Sequence, residues 1–191
     1  MIEICEGNLI FTFPKSLSVC KYDNSQFHKK QFQKSFTGAK GVDFIVLDKE
    51  TTWLIEVKDH QSYYHLDKND VPDDICNTVA YKIRDTLAGL VVAKNNSTKA
   101  YERKFAAKAL ANNKIRLVFH LEKPLIHSKM DHRATSDQPN IQIQLRKQNF
   151  LGNIDSEVLV VDKEYLHLHD EIKWTVRTKN KIKDLSATTP K

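Results

Sequence analysis

A mixed α/β fold is predicted by three features of the sequence. Residues 41–47 and 52–58 are β-type runs that are apolar on both faces, helical apolar spacing follows them, and strand character returns at residue 114. Strands that are apolar on both faces belong in the middle of a sheet that is covered on each side. Helices alternating with later strands complete a central mixed sheet flanked by helices.

Residues 2–13 alternate around Gly7-Asn8 and predict an N-terminal β-hairpin, to which residues 16–22 add a short third strand. In residues 25–36, SQFHKKQFQKSF, the spacing sets Phe27, Phe32 and Phe36 along one helical face and His28, Lys29, Lys30 and Lys34 mostly elsewhere; Gly38 ends that helix. The strands 41–47 and 52–58 are joined by the polar turn 48–51. Pro72, Asp73 and Asp74 mark a helix first turn, and Ile75, Val79, Ile83, Leu87 and Leu90 continue it as the long core helix. A second helix over 97–112 leads into a strand at 114–121. The polar, aperiodic stretch 122–139 reads as a long surface loop placed to close over a ligand. A basic helix over 139–151, a strand at 157–161 and a final strand at 172–177 complete one domain over 1–178, with a polar tail, 179–191, expected to be disordered.

Composition narrows the function. The 191 residues carry a formal charge of +6, with an isoelectric point near 9.1, a balance that suits a polyanionic partner. Cys5, Cys20 and Cys76 are widely spaced and odd in number, which suggests neither a disulfide framework nor a zinc site. No basic leader followed by an apolar run opens the chain, and no segment is apolar enough to span a membrane. A soluble, reduced, cytoplasmic protein is expected. Gly-rich phosphate loops, a Ser-centred elbow and Cys/His nucleophile motifs are absent.

The two central strands carry charges where a buried strand favours Val or Ile: Asp43 in GVDFIVL, Glu56 and Lys58 in WLIEVKD. Side chains alternate across a strand, so Glu56 and Lys58 share a face. When Leu47 opposes Thr52, Asp43 joins that face directly opposite Glu56. Two carboxylates about 5 Å apart repel unless a proton or cation lies between them. Oxygen ligands of this kind suit Mg2+ or Mn2+.

An Asp in one strand and Glu-x-Lys in the next, set among helices in an αβββαβ-like order over residues 25–161, resembles the PD-(D/E)xK nuclease superfamily. Val42 stands where the motif name has Pro, and the 25–36 helix offers no Glu; Glu3, Glu6 and Asp23 are the candidates to compensate. The resemblance implies a restriction-endonuclease-like core and an Mg2+- or Mn2+-dependent endonuclease hydrolysing phosphodiester bonds in DNA. It implies catalysis by Asp43, Glu56 and Lys58 and metal binding by Asp43, Glu56 and the Val57 carbonyl. Lys58 would position the attacking water or stabilise the developing charge. A homodimer or larger complex belongs to the same expectation. The same fold also suits a non-catalytic nucleic-acid-binding or assembly subunit. On the plainest reading, the three charges are a solvated hairpin in which Lys58 neutralises two acids.

Lys29, Lys30 and Lys34, with Lys82, Arg84, Arg146 and Lys147, are candidate phosphate contacts, although basic helix faces are usually just solvated. His60, Tyr63, Tyr64 and His65 follow the Glu-x-Lys strand and are candidates to line a cleft or stack on bases, against the favoured alternative of an aromatic-anchored loop. HLHD at 167–170 sets two imidazoles on one strand face without further ligands at zinc spacing.

Overall fold

The computed structural model of the chain describes residues 1–59, 72–122 and 137–179. His60, Tyr63, Tyr64 and His65, residues 123–136 of the expected surface loop, and the tail from 180 onward lie outside the described residues.

Both expected strands of the N-terminal hairpin form, β1 (Ile2–Glu6) and β2 (Leu9–Phe13), and Gly7 at the turn takes φ 55°. The next strand, β3 (Ser18–Lys21), leaves the hairpin and pairs antiparallel with β4 (Phe44–Asp48). β4 pairs antiparallel with β5 (Thr51–Asp59), which pairs parallel with β6 (Lys114–Glu122), and β6 parallel with β7 (Leu159–Val161). The result is a five-stranded mixed sheet in the order β3-β4-β5-β6-β7. The third place beside the hairpin is taken by β8 (Thr175–Thr178), giving a three-stranded antiparallel sheet β1-β2-β8. The α/β fold class therefore stands, with a central mixed sheet and an N-terminal hairpin, although helices cover one face of that sheet and the small sheet covers the other.

Each face of the central strands has its own cover, which explains why β4 and β5 are apolar throughout. Ile45, Leu47, Leu54, Leu117 and Phe119 pack with Val79, Ile83 and Leu90 of α2 (Pro72–Asn96) and with Leu145 of α4 (Asp137–Lys147). Phe44, Val46, Trp53, Ile55 and Val118 pack on the other side against Leu9, Phe11, Phe13 and Trp174 of the small sheet and its flank. Full burial of each large apolar side chain stabilises by about 1.5–3 kcal/mol. α3 (Ala100–Ala111) packs on α2 and is tied to β5 where the Thr52 hydroxyl donates to the Ala109 carbonyl at 2.8 Å.

The expected 25–36 helix is a π-helical turn, His28–Phe32, running into the short α1 (Gln33–Ser35). Phe27 and Phe32 are five residues apart and would point roughly 140° apart on an α-helix. The i→i+5 turn, closed by the Gln33 N–H on the His28 carbonyl, brings both into the core. Phe36 stays 56% exposed because the helix has ended, and His28, expected to lie mostly off that face, is buried. Around 167–170 a 3-10 turn, Leu166–Leu168, replaces the expected strand face, so the two imidazoles do not share one. The basic helix at 139–151 divides into α4 and α5 (Asn149–Ile154).

Candidate functional site

The predicted register holds. Leu47 opposes Thr52 and Phe44 opposes Ile55, so Asp43, one residue before β4, lies next to Glu56 on the helix-covered face of the sheet. Asp43 is 7% exposed and its Oδ2 accepts the Val57 N–H at 2.6 Å. Glu56 is 1% exposed. Its Oε1 receives Lys82 Nζ of α2 at 2.5 Å, while its Oε2 is buried with no hydrogen-bond partner among the described residues.

Two more acids reach the same place from the N-terminal strands. Glu6 ends β1, and Asp23 lies in the 3-10 turn Tyr22–Asn24 that follows β3. Carboxylate oxygens of Glu6, Asp23 and Asp43 lie within 4.8 Å of one another. Glu6 is paired with Lys21 at 2.7 Å. Glu3 stays outside, exposed and paired with Arg177.

Burial and mutual repulsion load this cluster with protons. Burial, then Asp43, pushes the Glu56 carboxyl up to about 8 against the pull of Lys82. Burial likewise raises Asp43, offset in part by Lys82 and the Val57 N–H, and burial, Asp43 and Glu6 together raise Asp23. Burial alone would pull the Lys82 ammonium down, but Glu56 and Asp43 outweigh it and raise it. The repulsion among Glu6, Asp23, Asp43 and Glu56 is what a divalent cation displacing those protons would relieve. The donor set is all oxygen, and the orphaned Glu56 Oε2 has the lone pairs such an ion needs, so the residues fit Mg2+ or Mn2+.

Lys58 lies on the same face, half-buried, and is the weakest of the named charges acting on Glu56. Lys82, grouped in the sequence with the phosphate contacts, makes the close ion pair instead. Val57 reaches the site through its N–H on Asp43. Lys29, Lys30 and Lys34 are exposed on the first helix, with Lys29 bonded to Asn24 at the edge of the carboxylates, while Arg84 is held by Asp85 through two hydrogen bonds. Lys82 was hidden as a partner because 26 residues separate it from Glu56 and it sits among ordinary helix cations.

The chain is similar to part of a cysteine–tRNA ligase. The relative, from Neisseria meningitidis serogroup A / serotype 4A, is 36% identical over an alignment of 171 positions that takes in 74% of this chain and 24% of the relative. The chain thus spans about a quarter of the length of the curated relative it matches. No family model matches the chain, and no solved structure matches it.

That similarity corrects the expected kinship with the PD-(D/E)xK nucleases, and with it the expectation of an endonuclease hydrolysing phosphodiester bonds through Asp43, Glu56 and Lys58. Three charged residues at the end of two paired strands are a short pattern that many sheets can produce. Identity at over a third of the positions along most of the chain is a far more demanding coincidence. No helix among the described residues is long and apolar enough to cross a membrane.

Proposed function

We propose that this chain is a tRNA-binding module related to a region of an aminoacyl-tRNA ligase, and that it meets RNA phosphate through a divalent cation in the acidic cluster. The observation that carries the reading is the similarity to part of a cysteine–tRNA ligase. The charge of +6 supports it, since a polyanion is attracted to a basic module by counterion release. Asp43, with Glu6 and Asp23 within ligating distance of it and the buried Glu56 beside it, would hold Mg2+ or Mn2+. Such an ion keeps several waters and takes remaining ligands from phosphate oxygens. Lys82 keeps Glu56 oriented, and the Val57 N–H fixes Asp43. The DNA target expected from the nuclease resemblance gives way to RNA.

Fluorescence anisotropy with a labelled cysteine tRNA transcript tests this, run with Mg2+ and with a chelator. Binding that strengthens with Mg2+ and weakens steeply with salt is the expected result. Absence of binding at low salt, or affinity indifferent to Mg2+ and unchanged in Asp43→Asn, would overturn it.

A further inference from the structure

No Asp or Glu occurs between Asp23 and Asp43, and the segment from Lys94 to Lys108 carries five cations and one carboxylate. These two basic stretches are remote in sequence, yet the fold sets them side by side. Gln31, in the π-helical turn, donates its amide to the Asn96 carbonyl at 3.2 Å and accepts the Thr98 N–H at 3.2 Å. This clamps the first helix onto the corner between α2 and α3. The one carboxylate of the second stretch, Glu102, is turned inward: it is 8% exposed, accepting the Phe27 N–H at 3.1 Å and the Ser97 hydroxyl at 2.6 Å.

With Glu102 used internally, the outer surface is left cationic. Lys30, Lys34, Lys94, Lys99, Lys104 and Lys108 are all exposed, and none is held by an acidic side chain among the described residues. Tyr101 is 66% exposed, and its spacing from Lys104 and Lys108 sets all three along one side of α3. A large aromatic standing among lysines offers a stacking surface within a positive field. Like charges on adjoining segments repel one another and are relieved by a polyanion. The surface also adjoins the acidic cluster: Lys29 bonds Asn24, the residue after Asp23.

We propose that the joint face of the first helix and α3 is the seat of the RNA backbone, with Tyr101 stacking on an unpaired base. The proposal rests on the tRNA-binding reading and assigns its main contact surface, separate from the cation-binding carboxylates. Phosphates lie along the lysines and reach the acidic cluster at the Lys29 end.

The test compares Lys104→Glu with Lys15→Glu, the same charge change at two exposed positions, only one of them on this face. Affinity for a cysteine tRNA transcript is measured over a salt series, with thermal unfolding of each variant. Lys104→Glu is expected to weaken binding about ten-fold and to flatten the salt dependence by roughly one in log–log slope, since each phosphate contact contributes about 0.7–0.9. Tyr101→Ala is expected to weaken binding roughly five-fold or more with the slope unchanged, as loss of stacking does. Equal effects of Lys104→Glu and Lys15→Glu, or none from either, overturn the surface while leaving the tRNA reading intact. Failure of the wild-type chain to bind at low salt overturns both. Should Lys104→Glu unfold, Lys104→Gln and Lys108→Gln carry the same comparison.

Discussion

Lys82 Nζ lies 2.5 Å from Glu56 Oε1, joining the middle of α2 to a carboxylate that is 1% exposed in the central sheet. The Lys82 side chain is 18% exposed, against 1% for that of Glu56, so the pair is shielded from water most completely on the acid side. A buried carboxylate deprived of its partner costs far more than a surface pair gains.

At pH 9, where Glu56 is ionised, Lys82→Met is therefore expected to destabilise the chain by about 1–3 kcal/mol, less than for a fully buried pair because Lys82 keeps some solvent. Glu56→Gln should remove most of that loss when combined with it. A double-mutant cycle by urea denaturation measures the coupling, and additive effects would show that the pair does not hold the site together.

The protonation of Glu56 gives a pH dependence with a definite sign. Folded Glu56 retains its proton up to about pH 8, against 4.5 ordinarily. Between these values the folded chain binds more protons than the unfolded one, so stability declines as pH rises from about 5 to 8. Raised Asp43 and Asp23 act in the same direction. Glu122 opposes them: although burial would raise it, the His120 hydrogen bond and Lys163 bring it down to about 2. Its contribution is present above its ordinary value and lost as pH falls through about 2. Denaturation midpoints across pH 5–9 should fall steadily in wild type and flatten in Glu56→Gln.

Occupation of the cluster by a cation adds a third outcome. At pH 8, Mn2+ or Mg2+ at a hundred times its dissociation constant should stabilise the chain by about 2.7 kcal/mol. The effect should shrink at pH 5, where protons compete for the carboxylates. Thermal unfolding with and without metal checks this, and Asp43→Asn should abolish the shift; an unaltered shift in that variant would place the ion elsewhere.

Gly89 concerns packing alone. A Cβ there would meet Tyr22 Oη at 2.1 Å, so Gly89→Ala is expected to cost about 1–3 kcal/mol by overpacking. Tyr22 Oη is buried without a hydrogen-bond partner among the described residues, so Tyr22→Phe costs little. The nearest ring carbon stands 3.4 Å away, an ordinary contact. The double variant should recover wild-type stability and exceed it by up to about 1 kcal/mol, the helix preference for Ala over Gly. Thermal unfolding of the three variants decides it.

Much of this arrangement was legible in the chain itself. Alternation and two-sided apolarity predicted β4 and β5, the turn between them set Leu47 against Thr52, and that register alone placed Asp43 beside Glu56. These are local consequences of strand period and connection length. The third strand's departure to the large sheet, and its replacement by β8, are pairings between distant segments that no local pattern records. The π turn arose because the core accepts both Phe27 and Phe32, whose spacing an α-helix would split. Glu6, Asp23 and Lys82 converge on Asp43 and Glu56 only after strands, turn and helix have packed, as do the lysines that Gln31 draws together. The sequence by itself determined two strands and a pair of opposed acids. Tertiary packing decided what surrounds them, because charge complementarity between distant segments exists only once burial has brought them within a few ångströms.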